Sequence, residues 1–212
     1  MGLYDIKPAF RQFLSRFLPW LRPIHPDVLT WGALGCSVAS AVLLFFAKTN
    51  RWLFLVIPLL LFLRIALNAL DGLLAQATGK ARPFGEVLNE ATDRLSDLAI
   101  LLGIAYSPFS SVRWGIPTVA AVLFSSYIGI LGKAVGAGRQ YNGILGKADR
   151  MLWFGVVCLI AFFVGNVTLF HLPGGHSVEL FDGLLALFTI LACVTAVQRV
   201  VTIHAILSPR KR

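Results

Sequence analysis

Residues 67–97 read LNALDGLLAQATGKARPFGEVLNEATDRLSD. This stretch holds Asp71, Glu86, Glu90, Asp93 and Asp97, five of the ten Asp and Glu residues in a chain of 212. Both flanks are almost entirely apolar. A charged carboxylate at the centre of a bilayer costs roughly 2.5–3.5 kcal/mol on insertion scales. Acids retained beside such flanks therefore point to function: a cation site, a proton path or both.

Spacing arranges these side chains. Asn68 and Asp71 are three apart, with Ala75 one turn on, and residues three or four apart share a helix face. Asn89, Asp93 and Asp97 recur every four residues and form a second stripe. Two oxygen-bearing stripes facing each other across a helical pair suit a hard cation such as Mg²⁺, Mn²⁺ or Ca²⁺. Nitrogen and sulfur ligands are absent from the stretch, which argues against zinc. Gly72, Ala75 and Gly85 are small and leave room for a ligand or a close helix. Lys80 and Arg82 lie between the stripes, and Lys147 and Arg150 approach from the same side. Acids that hold a cation, beside Lys and Arg, suit a phosphate-rich substrate. A positive-inside bias accounts for Arg210, Lys211 and Arg212 by itself. For Arg82, Lys147 and Arg150 both readings stand. Asp149 reads as a cap on the helix that follows, with acceptor-phosphate binding by Lys147 and Arg150 as the rival. Arg199 either snorkels to the headgroups or lines the pocket.

The wider composition fits a membrane protein. Hydrophobic residues make up 57% and charged residues 14%, against about 25% charged in soluble domains. Apolar runs long enough to cross a bilayer fall at about 29–48, 52–76, 86–107, 115–136, 151–170 and 181–204. The expected fold is an all-α integral membrane protein of six transmembrane helices preceded by an amphipathic interfacial helix. The expected division is 1–24 for that helix, 25–207 for the membrane domain and 208–212 for a basic tail. In the first segment Leu3, Ile6, Phe10, Phe13, Leu14, Phe17, Leu18 and Leu21 recur at helical spacing, with Lys7, Arg11, Arg16 and Arg22 between them. Such a helix lies on an anionic leaflet. Trp20, Trp31, Trp52, Trp114 and Trp153 fall at span ends, as an interfacial belt does. Cys36, Cys158 and Cys193 sit in apolar runs and show no disulfide or metal spacing.

Orientation follows from Lys and Arg. One set of connections carries the N-terminal basics, Lys80, Arg82, Lys133, Arg139, Lys147, Arg150 and the terminal Arg210-Lys211-Arg212; the other carries only Lys48, Arg51 and Arg113. Both termini and the acid cluster are thus expected on the cytoplasmic side of the cell membrane. His171, His176, Glu179 and Asp182 fall on the opposite side.

One pattern is specific. Asn68-x2-Asp71-Gly72-x2-Ala75-Gln76-x8-Gly85-x3-Asn89-x3-Asp93 resembles the CDP-alcohol phosphotransferase signature, D-x2-D-G-x2-A-R-x8-G-x3-D-x3-D. Every spacing matches, and five of the eight identities. His25-Pro26-Asp27-Val28-Leu29-Thr30 is similar to the P-N-x-L-T that leads into the family's first span. The resemblance covers essentially the whole chain. It implies transfer of a phosphatidyl or related group from a CDP-linked lipid, such as CDP-diacylglycerol, to a polar alcohol or alcohol phosphate, with release of CMP. It implies Mg²⁺ or Mn²⁺ as cofactor, the bilayer as environment, a homodimer, and no nucleic-acid partner. Carried over by position, Asp71 is a metal ligand and Asp93 the general base. Gly72, Ala75, Gln76 and Gly85 line the nucleotide pocket, and Arg82, Lys147, Arg150 and Arg199 are candidates for the acceptor or its phosphate.

Three departures matter. Asn68 and Asn89 stand where the family has acids, and Gln76 where it has Arg. An Asn carbonyl is a neutral donor, so the site loses two negative charges. Three readings follow. The chain is a divergent enzyme in which Glu86, Glu90 or Asp97 restores the charge, with Asp97, one turn beyond Asp93, as the foremost candidate ligand. Or it is a single-metal enzyme with an unusual substrate. Or it is an inactive homologue that binds CDP-lipid or serves as a scaffold. A cation-coupled transporter is a further class, disfavoured because no two-fold repeat is evident and the acids lie near one surface.

Overall fold

A computed structural model describes residues 7–173 and 176–208. Its elements are α1 (Lys7–Ser15), α2 (Leu18–Leu21), α3 (Pro26–Phe46), α4 (Leu53–Ala77), α5 (Pro83–Ala105), α6 (Val112–Ala134), α7 (Lys147–Val164), a hairpin of β1 (Thr168–His171) and β2 (Ser177–Glu179), and α8 (Leu180–Leu207). Local chemistry sets several starts. Pro26 and Pro83 occupy first-turn positions, where no amide hydrogen is needed. His25 Nδ1 accepts from the Asp27 amide at 3.3 Å. Asp149 Oδ2 accepts from the Gly146 amide at 2.8 Å, so Asp149 caps α7 as its sequence position suggested.

Helices α3 to α8 close into a ring in which α3 packs on α4, α4 on α7, α7 on α8, α8 on α6, α6 on α5, and α5 on α3. Four of them, α3, α4, α6 and α8, are long and apolar enough to cross a membrane. Helices α5 and α7 reach membrane-spanning length, but any 18-residue stretch of either carries more than two charged side chains. The charges concentrate on the helices that build the site. Inside the ring, Leu44, Ile57, Leu61, Ile104, Phe154, Phe181 and Phe188 are fully buried. The Phe54, Phe109 and Phe154 rings gather around Phe181, with centroids 5.6–6.4 Å from it. Outside, Leu59, Phe62, Phe163 and Ile190 are exposed, as lipid-facing side chains are. Helix association in lipid relies on van der Waals fit rather than on expulsion of water, so small residues mark the contacts. Gly103 of α5 lies against Ala41 of α3, and Gly115 of α6 against Ala105.

The helices fall within three residues of the sequence expectation at nearly every end. The fifth differs. Helix α7 stops at Val164, and Gly165 adopts φ 79°, which favours glycine. Residues 168–170, expected inside a span, form β1 together with His171 and pair antiparallel with β2. The bundle is helical as expected, with this small hairpin inserted between α7 and α8. Thr168, Phe170 and Val178 are residues that strands favour. The N-terminal segment also differs, since two short helices replace one. The chain turns at Arg16–Phe17, and Pro19 opens α2 rather than continuing α1. Helix α1 docks on α4 through buried Leu14 and a Phe10–Phe62 edge contact at 6.0 Å. Leu3 and Ile6, and Arg210, Lys211 and Arg212 of the basic tail, lie outside the described residues.

The Gly103–Ala41 contact gives a direct test. A Cβ at Gly103 would stand 2.5 Å from the Ala41 Cβ and 2.9 Å from its Cα. Gly103→Ala is expected to destabilise by about 1–3 kcal/mol, the usual range for overpacking. Gly72→Ala, with nothing within 4 Å of the new carbon, should leave thermal unfolding in detergent unchanged. Equal midpoints for the two variants would contradict this packing.

Candidate active site

The polar interior is built in three layers, one helical turn apart. Helices α4 and α5 do not pack closely backbone to backbone; polar side chains span the space between them. The helices run antiparallel, so rising positions on α4 meet falling positions on α5. The deep layer joins Arg64 of α4, Asp97 of α5 and Arg150 of α7. Arg150 Nη2 donates to Asp97 Oδ2 at 2.6 Å, and Arg64 Nη2 to Asp97 Oδ1 at 3.4 Å. The middle layer joins Asn68, Asp93 and Lys147. Asn68 Nδ2 donates to Asp93 Oδ1 at 2.8 Å, and Lys147 Nζ reaches both Asp93 oxygens at 2.6 and 2.7 Å. The outer layer joins Thr30 of α3, Asp71 of α4 and Asn89 of α5. Thr30 Oγ1 and Asn89 Nδ2 donate to Asp71 Oδ2 at 2.8 and 3.1 Å. The two Asn–Asp bonds cross, since each helix gives one amide and one carboxylate.

The signature residues therefore come together, and Asp97 separates from them. Its side chain is inaccessible and held by two guanidinium groups. Asp97, expected as the foremost candidate to restore the metal charge, is an ion-pair partner of Arg64 and Arg150 in this structure, with one guanidinium contact on each oxygen. Glu86 and Glu90 are committed as well, to Lys133 and Arg139 across the α5–α6 side. Arg94 lies 3.9 Å from both Glu90 and Asp93.

The candidate phosphate-binding cations are dispersed. Arg82 pairs with Asp27 and lies over the Phe84 ring. Lys147 is on Asp93 and Arg150 on Asp97. Arg199 donates to the carbonyls of Ser125 and Asn142 at 2.6 and 3.0 Å, so it ties α8 to α6 and the 135–146 loop. Its hydrogen bonds do not run to the cluster. On the other face, Gly72 and Gly85 have space around them. A Cβ at Gly72 would meet nothing within 4 Å, and one at Gly85 only the Arg82 Cγ at 3.5 Å. Packing does not require glycine at either place. Ala75 is half-buried and Gln76 exposed.

Two participants escaped the sequence reading. Thr30 lay in the quoted His25–Thr30 segment but received no role. Arg64 continues the Asn68–Asp71–Ala75 face by one turn towards the N-terminus, and that spacing was the available signal.

The donor set bears on a metal. Among the described residues no group of three or more His, Cys, Asp or Glu side chains is placed to hold one. What faces inward is two carboxylates and two carboxamides, each amide with a carbonyl oxygen to offer after rotation. Oxygen donors of this kind suit a hard divalent cation such as Mg²⁺ or Mn²⁺.

Comparison with known proteins decides the family. The sequence profile described as CDP-alcohol phosphatidyltransferase matches residues 23–198. The chain belongs to that family. It is 37% identical over 158 residues to inner membrane protein YnbA of Escherichia coli (strain K12), covering 74% of this chain and 78% of that one. It is 30% identical over 188 residues to the phosphatidylinositol phosphate synthase of Cutibacterium acnes, covering 85% and 86%. The fold matches the crystal structure of the Mycobacterium tuberculosis phosphatidylinositol phosphate synthase with CDP-DAG bound, with TM-score 0.70, 21% identity, and 95% and 100% of the two chains covered. A second structure of that enzyme, with manganese and citrate, matches with TM-score 0.68 and 22% identity over 92% of each chain. The family transfers substituted phosphate groups in phospholipid synthesis, and divalent metal use is consistent with it.

The deep layer is testable apart from catalysis. Asp97→Asn leaves Arg64 and Arg150 buried without a counter-charge. Breaking a buried pair by removing one partner costs about 3–5 kcal/mol. Unfolding of the purified variant in detergent should show a loss of that order; a loss below about 1 kcal/mol would mean that the layer contributes little.

Proposed function

We propose that this chain transfers a phosphatidyl group from a CDP-linked lipid, CDP-diacylglycerol above all, to the hydroxyl of a polar alcohol or alcohol phosphate, with release of CMP. The observation that carries this reading is the crossed pairing of Asn68 with Asp93 and of Asn89 with Asp71, which holds two carboxylates in adjacent layers near Gly72, where a Cβ would meet nothing within 4 Å. The relatives named phosphatidylinositol phosphate synthase support an alcohol phosphate as acceptor.

In this mechanism the acceptor hydroxyl attacks the phosphorus bonded to the lipid. A new P–O bond forms as the P–O bond to CMP breaks, and CMP departs with the bridging oxygen. The hydroxyl proton passes to the Asp93 carboxylate, which acts as general base. Lys147 and Asn68 hold that carboxylate in place, with donors 2.6–2.8 Å from its oxygens. Asp71 and Asp93, with the carbonyl oxygens of Asn68 and Asn89, would hold Mg²⁺ or Mn²⁺, and such an ion would offset charge on the diphosphate and the departing CMP. Gly72, Ala75, Gln76 and Gly85 line the nucleotide pocket, and Arg82 at its edge meets a phosphate by exchanging Asp27 for it.

Helices α3–α8 are read as six spans of residues 25–207, with α1 and α2 of residues 1–24 at the interface and the basic tail of 208–212 in the cytoplasm. Asp93 and Asp97 of α5 and Arg150 of α7 are buried between helices, which lets both helices cross. The excess of Lys and Arg puts the site and both termini on the cytoplasmic side, and exposed apolar helix faces leave surface for a homodimer. A second reading is a CDP-lipid-binding homologue without turnover; it is favoured by one observation, that the Asn amides now donate to the two carboxylates.

Purified protein in detergent, given CDP-diacylglycerol, a panel of alcohols and Mn²⁺, should release CMP only when metal and acceptor are both present. Asp93→Asn should lower that rate about 10²–10⁴-fold, the usual contribution of a general base. Full turnover in Asp93→Asn would contradict the assignment, and no release with any acceptor would favour the second reading.

A further inference from the structure

Lys147 is the residue whose position the signature does not explain. It opens α7, directly after the Gly146 cap, and its ammonium group is bound by both oxygens of Asp93. Asn68 donates to one of the same oxygens from the other side. Asp71 Oδ2 accepts from Thr30 and Asn89, and its Oδ1 from the Gly72 amide. Both carboxylates are thus held by donors of this chain, and each of the two Asn residues occupies a position where the signature has an acid.

Formal charge makes the consequence concrete. With acids at all four signature positions, the outer and middle layers would carry four negative charges, enough to balance two divalent cations. Here Asp71 and Asp93 contribute two, and the Lys147 ammonium cancels one of them. One divalent cation then leaves a single positive charge, which suits a diphosphate. Two would leave three positive charges among neutral amides, with no acid free to bridge them, since Asp97 is held by Arg64 and Arg150 and Glu86 and Glu90 by Lys133 and Arg139. The deep layer adds a further positive charge one turn below, from two guanidinium groups on one carboxylate, and Arg64 Nε and Nη1 and Arg150 Nε have no protein partner there.

We infer that Lys147, with the amides of Asn68 and Asn89, stands in for a second cation, so that this site takes one divalent metal ion where a four-acid signature would take two. Lys147 acts as a built-in counter-charge on Asp93, and not as a ligand for the acceptor phosphate. The inference rests on the proposed transferase reading only in taking the cluster as the metal site.

The test is a count of bound Mn²⁺ by electron paramagnetic resonance, on wild-type protein in detergent titrated with Mn²⁺ alone. About one Mn²⁺ per chain is expected on the charge argument. The variant Asn68→Asp/Asn89→Asp/Lys147→Met, which restores four acids and removes the ammonium, should take up about two and show the spin coupling of a close pair. Two ions or none in the wild type would overturn the inference, as would a monodisperse triple variant that still binds one. The wild-type count decides the matter even where the triple variant does not fold. CMP release with two bound ions would sink the inference and leave the transferase reading intact; one bound ion with no CMP release would do the reverse.

Discussion

The structure depends on how two cations of α7 meet two carboxylates of α5. Lys147 and Arg150 are three apart and share a face; Asp93 and Asp97 are four apart and share another. Lys147 reaches Asp93 and Arg150 reaches Asp97, each at 2.6 Å. The helix backbones are not in close contact there, so long side chains bridge the space. Both carboxylates are buried, and a buried charge is costly unless it is paired. The lower rung, closed by Arg64, holds three helices together. The upper rung sets the charge of the site.

That division explains why two acids of one stripe have separate fates. Asp93 and Asp97 differ by a single helical turn, yet one is paired with a lysine beside polar amides and the other is sealed between guanidinium groups. Depth accounts for the difference. Towards the helix ends that carry the loops, Gly72 and Gly85 keep the surface open, and towards the bundle centre the ring is filled by Phe154, Ile100 and Leu61. A chain that loses two acids at the mouth and keeps both rungs retains its architecture while changing what the mouth can bind.

Much of this was legible in the sequence. Apolar runs long enough to cross a bilayer placed six long helices, within a few residues at most ends, because a spanning helix must present an apolar surface on every side that meets lipid. The fixed spacing of the 68–93 signature brought Asn68, Asp71, Asn89 and Asp93 together, since helical geometry alone decides which positions share a face. What was not legible depended on pairing between distant elements. Nothing local distinguishes Asp97 as an ion-pair partner from Asp97 as a ligand; the difference lies in Arg64 and Arg150, 33 and 53 residues away. Arg199 was equally ambiguous, and its partners proved to be backbone carbonyls. The hairpin after α7 was hidden because Val167, Leu169 and Phe170 extend the apolar run of the span they follow. The break between α1 and α2 was signalled by Pro19 but not located by it.

The central claim is that a signature reduced to two carboxylates still forms a cation-dependent site for a cytidine diphosphate. Titration calorimetry with a water-soluble CDP-alcohol, on purified protein with Mn²⁺ and again with excess chelator, addresses it without requiring turnover. Binding that weakens at least tenfold on chelation, and that is lost in Asp71→Asn, is the outcome the geometry calls for. Equal affinity with and without metal, or no binding in either condition, would show that the crossed amides and Lys147 have closed the site rather than retuned it.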